Sequence, residues 1–215
     1  MELGLTGRRV AILATDGVEQ VELEEPRKAL DAAGALTHLI APEEGSIQAM
    51  NHDEKGARIP VDRILADARP SEYDALLLPG GLANPDRLRM DERAVHFVRE
   101  FMLSEKPVAA ICHAPWMLVE ANAVAGRTLT SWPSLQSDIR NAGGDWVDEP
   151  VRVDDRLITS RTPDDLPAFC ATIVKEFASA IQLEERLGLV GEQSFPASDP
   201  PPGPTAIGGE GAATS

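Results

Sequence analysis

Short runs of consecutive apolar residues alternate along this chain with stretches in which apolar residues return every three or four positions. The first pattern marks a strand covered on both faces, the second an amphipathic helix. Arg9-Val-Ala-Ile-Leu-Ala14 predicts a first strand, Leu36–Ala41 a second, and Asp74–Pro79 a third that ends in Gly80-Gly81. Val108–Ile111 predicts a further buried strand and Arg127–Thr130 a short one. Helices are predicted over Val21–Ala33, with Leu23 and Leu30 on one face and Gly34 as the stop, and over Glu92–Leu103, with a stripe of Val95, Val98 and Met102. Further helices are predicted from Pro115 to about Ala121, over Ser134–Ala142 closed by Gly143-Gly144, and over Asp164–Leu187. Asp16–Glu19 reads as a turn, Asn51–Ile64 as small strands and a loop, and Val151–Val153 with Leu157–Thr159 as a hairpin around Asp154-Asp155. Strands alternating with helices predict an α/β fold with a mostly parallel sheet covered on both faces. Beyond Leu187 the chain becomes rich in Pro, Gly and Ala, above all over Ser198–Ser215. One domain over residues 1–187 and a disordered tail over 188–215 are expected, with no internal repeat.

The segment Pro107–Pro115 changes this picture from a fold to a site. Val108–Ile111 is the buried strand, Cys112 stands at a sharp turn, and Pro115 suits the first turn of a helix, where its missing N–H costs nothing. Ala110 and Ala114 flank Cys112 at minus and plus two. A nucleophile elbow needs small residues there, because strand and helix backbones approach closely around a strained apex. The turn sets the thiol at a helix N-terminus, where free N–H groups favour thiolate, so a depressed thiol pKa is expected. A buried core cysteine is the ordinary alternative, and the context after the strand favours the reactive one.

Open parallel sheets place their sites beyond the carboxyl ends of the strands. Glu19 after the first strand, Gly80-Gly81 after the third and Cys112 after the elbow strand are expected to converge there. Glu19 reads as an acid whose pKa is raised near a thiolate, able to move a proton, or as a helix-capping acid. Gly80 and Gly81 can offer N–H groups to an oxyanion. His113 adjoins Cys112, so its side chain is expected to leave the turn in another direction, acting through a rotated imidazole, its backbone N–H, or only structurally. Asp86, in Asn84-Pro85-Asp86, reads as a candidate acid or a first-turn helix residue. His38, His52 and His96 show no ligand spacing with the cysteines, so no metal is expected, and no glycine-rich phosphate loop appears, so no nucleotide or other cofactor is expected. No histidine follows His113, which removes the downstream histidine of a glutamine-hydrolysing triad.

Charge and composition exclude several classes. Among 215 residues, 20 Lys and Arg face 35 Asp and Glu, a formal net charge of −15, which argues against a nucleic-acid partner. Two cysteines, Cys112 and Cys170, make no disulfide framework and fit a reducing compartment. No run reads as a membrane span, and Met1–Arg9 has no signal-peptide apolar core, so a cytoplasmic location is expected.

With these residues in hand, the chain resembles the PfpI-like intracellular protease family, in the class I glutamine amidotransferase-like superfamily that includes the parkinsonism-associated deglycase. The resemblance runs over about Arg9–Phe177, in Asp16-Gly-Val-Glu-Gln-Val-Glu22, Leu78-Pro-Gly-Gly81, Ala110-Ile-Cys-His113, Thr130-Ser-Trp-Pro-Ser134, Asn141-Ala-Gly143 and Thr159–Phe169. It implies a flavodoxin-like three-layer α/β/α sandwich with Cys112 on the elbow and Glu19 as the acid that contacts the thiol. It also implies a triad of Cys112, His113 and an acid from a neighbouring subunit, mapped to Asp86, in a homodimer or a homohexamer. Ala114 stands where glycine is more usual, and its methyl group tightens the elbow or narrows the site. The resemblance implies a cofactor-independent cysteine enzyme of stress defence, of the glyoxalase III or deglycase type, acting on a small aldehyde or dicarbonyl or its adducts. The alternatives are a cysteine peptidase acting on peptides and a non-catalytic redox or stress sensor through Cys112 oxidation.

Overall fold

A computed structural model describes residues 4–193. Its centre is a seven-stranded sheet built from β1 (Arg9–Leu13), β3 (Leu36–Ala41), β6 (Arg63–Ile64), β7 (Ala75–Leu78), β8 (Val108–Ile111), β11 (Val151–Asp154) and β12 (Leu157–Ser160), in the order β11-β12-β8-β7-β1-β3-β6. All pairs are parallel except the edge hairpin of β11 and β12. The register explains the continuous apolar runs. Val10, Ile12, Ala75, Leu77, Ala109 and Ile111 face one core, while Ala11, Leu13, Leu76, Leu78, Val108 and Ala110 face the other. Both faces are buried over these positions, so Val10–Leu13, Ala75–Leu78 and Val108–Ile111 are apolar throughout.

The first face is covered by α1 (Gln20–Ala32), through Leu23 and Leu30, and by α6 (Leu166–Gln193), through Phe169, Ile173 and Phe177. The second is covered by α2 (Ala83–Leu88), α3 (Glu92–Leu103), α4 (Pro115–Glu120) and α5 (Gln136–Asn141). This is the three-layer α/β/α sandwich that the sequence predicts. The stripe of α3 is Ala94, Val95, Phe97, Val98 and Phe101, while Met102 is half-buried at its margin. The predicted Ser134–Ala142 helix divides into a 3₁₀ turn over Pro133–Leu135 and the short α5. The helix α2 was not predicted, because Asn84 and Pro85 break its pattern.

Two small sheets lie outside the main one: β2 (Val18–Glu19) with β4 (Ser46–Asn51) and β5 (Glu54–Pro60), and β9 (Thr128–Leu129) with β10 (Asp145–Trp146). The hairpin of β4 and β5 turns at His52-Asp53. The final helix runs six residues past the predicted end at Leu187, so the start of the tail predicted over 188–215 is helical, and its remainder, 194–215, lies outside the described residues. The helical segment Pro163–Leu183, which includes the 3₁₀ turn before this helix, is long and apolar enough to cross a membrane by length and composition, contrary to the sequence expectation. That apolarity has a local partner, since α6 packs on α1 and β12.

Candidate active site

The parallel strands end together, and the segments leaving them line one cleft of about 310 Å³. Gly81 and Leu82 come from the loop after β7, Cys112 and His113 from the elbow after β8, and Pro163 from the loop after β12. Glu19 and Glu22 come from the start of α1, Trp132 from the loop after β9, and His52 and Asp53 from the hairpin tip. This is the carboxyl-end crevice expected of an open parallel sheet.

Cys112 has φ 63°, the left-handed region that costs an L-residue strain. Three backbone bonds hold it there: Cys112 N–H donates to Ser160 O at 3.0 Å, Ala114 N–H to Ile111 O at 3.0 Å, and Trp132 N–H to Cys112 O at 2.8 Å. The elbow is therefore clamped to the neighbouring strand end and to the loop over the cleft. Buried Ala110 and Ala114 fill the flanking positions with a methyl group each.

The acid against the thiol is Glu22, and this corrects the assignment of that contact to Glu19. Glu22 is 1% exposed, its Oε2 accepts from Gly80 N–H at 3.0 Å, and its carboxyl pairs with the Cys112 thiol. Among the described residues its Oε1 has no partner. Burial pushes the Glu22 carboxyl up to about 8, so it is largely protonated at neutral pH. The thiol is also raised, first by burial and then by the Glu22 charge, while the Gly81 and His113 N–H groups pull it down. The expected depression by the helix N-terminus is outweighed, since α4 spans only six residues and the sulfur is buried. The two groups repel when both are charged, so they do not ionise together. When the thiol gives up its proton, a protonated Glu22 can donate to the thiolate instead of opposing it.

Gly80 and Gly81 are required by space. A Cβ on Gly80 would lie 2.5 Å from Glu22 Oε2, 2.7 Å from Cys112 Cβ and 2.8 Å from Ile111 O. Gly81 has φ 83°, and a Cβ there would meet Gly17 O at 2.4 Å. Buried Asn84 locks this loop: its Nδ2 donates to Pro79 O at 2.9 Å and Gly80 O at 3.0 Å, and its Oδ1 accepts from Thr15 N–H at 2.7 Å.

The His113 side chain does not leave the turn. Its Nδ1 lies 3.2 Å from Cys112 Sγ, because the left-handed apex swings the next residue back over the sulfur. Glu19 lines the same cleft at 8% exposure, and both its carboxylate oxygens accept from His52 N–H, at 3.0 and 3.4 Å. It stands at the N-cap of α1 without making a side-chain cap bond, so it ties the hairpin tip to the cleft rather than capping the helix. Asp86 is exposed on α2 and is not among the residues lining the cleft of its own chain. Among the described residues no group of three or more His, Cys, Asp or Glu gathers as a metal site.

Sequence reasoning passed over Glu22, His52, Asp53, Leu82, Trp132 and Pro163 as cleft residues. A signal for Glu22 was present: with Leu23, Pro26 and Leu30 it forms the buried face of α1, so it is an acid on an apolar stripe.

A cysteine on a strained strand-to-helix turn, with a buried acid against it at the carboxyl ends of a mostly parallel sheet, defines an α/β protein built around a nucleophile elbow. The chain belongs to the DJ-1/PfpI family, whose model matches residues 8–176. It is 44% identical over 164 residues to General stress protein 18 of Bacillus subtilis, covering 76% of this chain and 94% of that protein. It is 43% identical over 163 residues to Protein/nucleic acid deglycase 2 of Escherichia coli, covering 75% of this chain and 93% of that protein. Among solved structures it resembles Drosophila melanogaster DJ-1beta with a TM-score of 0.73 at 27% identity, covering 85% of this chain and 97% of that one.

Proposed function

We propose that this protein is a cofactor-independent cysteine enzyme acting on reactive dicarbonyls or their adducts. The observation that carries the reading is the placement of Cys112 between the buried Glu22 carboxyl and the Gly81 and His113 N–H groups. With methylglyoxal, the Cys112 thiolate attacks the aldehyde carbon and forms the C–S bond, and the carbonyl electron pair moves to oxygen. Protonated Glu22 gives its proton to that oxygen and becomes the base. It then takes the proton from the same carbon, and the resulting enediol is reprotonated on the neighbouring carbon to leave a lactoyl thioester. Water attacks the thioester, releasing lactate and the thiol, so the sum is methylglyoxal plus water to lactate. The Gly81 and His113 N–H groups, which face the sulfur, are the donors that hold the oxyanion. The role first read for Glu19 passes to Glu22, because Glu22 is the acid in contact with the sulfur.

The deglycase named among the relatives supports the adduct version of the reaction. For this chain a net charge of −15 favours free dicarbonyls and protein adducts over nucleic acid. A reducing, cytoplasmic setting suits two free cysteines. Lactate formation from methylglyoxal without glutathione or metal, measured beside glycated amines and peptides, tests the proposal. Absence of turnover on every carbonyl substrate sinks it.

One observation favours a second reading, a peptidase: the 3.2 Å approach of His113 Nδ1 to Cys112 Sγ is the pairing such an enzyme needs. Its acid would be Asp86 of another copy, since Asp86 stands outside its own cleft, and that reading requires a homodimer or homohexamer. Peptide cleavage confined to the oligomer and lost in Asp86→Ala would support it over the first.

A further inference from the structure

We propose that Trp132 and Trp116 are positioning residues whose rings pack against the His113 imidazole and keep its Nδ1 aimed at Cys112 Sγ. The proposal rests on the reading of Cys112 as the reactive group.

The geometry is an aromatic cluster. The His113 ring lies on Trp132 at 5.6 Å between centroids and 23° between planes. Trp116 approaches the same ring at 5.3 Å and 53°. The Arg89 guanidinium lies over the Trp116 ring, 5.6 Å from its centroid, and is itself paired to Glu120 at 3.3 Å. Polar bonds fix the Trp116 indole and the Trp132 backbone. Trp116 Nε1 donates to Asp138 at 2.8 Å, and Trp132 N–H donates to the carbonyl of Cys112 itself at 2.8 Å. Ser131 Oγ, which accepts from Trp146 Nε1 at 2.9 Å, bonds the Trp132 carbonyl at 2.9 Å. Trp132 is thus tied to the same residue whose sulfur its ring helps to serve.

Among the described residues the only hydrogen-bond contact of the His113 ring is the one to Cys112 Sγ. Within the chain the ring is held by its contacts with the two indoles, at centroid distances within the favourable range for aromatic pairs. A free imidazole would visit several rotamers, only one of which faces the sulfur. Each stack of this kind favours the held rotamer by roughly a few-fold to tenfold. The charged and titratable groups around the ring are Cys112 on the elbow, Glu19, Glu22, His52 and Asp53 lining the cleft, and Arg89, Glu120 and Asp138 around Trp116. Burial holds the His113 pKa below its ordinary value, so the ring meets the sulfur in its neutral form.

The test measures coupling between His113 and the thiol without any turnover. The rate of Cys112 alkylation by iodoacetamide is followed against pH, and the rate at pH 7 is divided by its high-pH limit, which cancels accessibility. In otherwise wild-type protein His113→Gln should change that ratio roughly five- to tenfold. In a Trp132→Leu background, which keeps apolar bulk but removes the ring face, the same substitution should change it less than about twofold. Trp132→Phe should restore the coupling, which a role confined to stability would not require. Trp116→Leu, which removes the other ring face, serves the same purpose should Trp132→Leu fail to fold, and it should likewise weaken the coupling. Equal His113→Gln effects with and without the Trp132 ring would overturn the proposal, as would a coupling abolished by Asp86→Ala and untouched by Trp132→Leu. Loss of dicarbonyl turnover in Cys112→Ser is a separate result that bears on the enzyme reading alone.

Discussion

Replacing Glu22 with Gln separates the fold from the chemistry, and its size follows from burial. The carboxyl titrates near 4.5 in the unfolded chain and near about 8 in the folded one. Between those values the folded chain holds a proton that the unfolded chain has lost, so wild-type stability is fully present below 4.5 and falls as pH rises to about 8. One proton over that window is worth about 1.4 kcal/mol per pH unit, or about 5 kcal/mol in all, a large share of an ordinary folding free energy. Glu22 is 1% exposed, so solvent screening removes little of this. Gln cannot ionise and can still accept from Gly80 N–H, so Glu22→Gln should match wild type near pH 4.5 and exceed it progressively toward pH 8. Urea unfolding at a series of pH values measures the difference. The same variant should lose about 10²- to 10⁴-fold in turnover, the usual contribution of a positioned acid–base group. A stability difference that stays flat with pH would refute the buried, protonated carboxyl. Full activity would refute its role as proton carrier.

Further outcomes follow from the same geometry. Cys112→Ser should keep the fold and abolish turnover, whereas Cys170→Ser, on the margin of α6, should change neither; thermal melts and lactate assays on both variants decide this. Gly80→Ala would place a Cβ between Glu22 and Cys112, so it should cost about 1–3 kcal/mol in urea unfolding and most of the activity. Glu19→Gln keeps an acceptor for His52 N–H and should retain far more turnover than Glu22→Gln, a ranking read directly from steady-state rates. Mixing Asp86→Ala with Cys112→Ser subunits should restore peptide cleavage only if the acid is shared between copies.

The strands were legible because both faces of the sheet are buried, so Val108–Ile111 and Ala75–Leu78 carry no polar residue to blur them. The elbow was legible for a related reason: Cys112 stands between small residues where a strand must turn sharply. The acid was harder. Glu19 immediately precedes α1, while Glu22 stands one turn further on, and only the rotation of α1 shows which carboxylate reaches the sulfur. The buried company of Leu23, Pro26 and Leu30 carried that information, but an acid in a first helical turn ordinarily reads as a partner of the helix dipole. His113 was misjudged because neighbouring side chains normally diverge. The positive φ at Cys112 reverses that rule, and a backbone angle leaves little trace in composition. Trp132, Pro163 and the hairpin tip reach the cleft from loops far apart in sequence, and their convergence belongs to the topology of the sheet rather than to any local pattern.

The central claim is that Cys112 carries the substrate and Glu22 moves its proton. Mass spectrometry of protein quenched during methylglyoxal turnover, with lactate measured in the same samples, addresses both halves. The account predicts that Glu22→Gln accumulates one methylglyoxal on Cys112 while releasing little lactate, and that Cys112→Ser shows neither. Lactate released at the wild-type rate by either variant would contradict it.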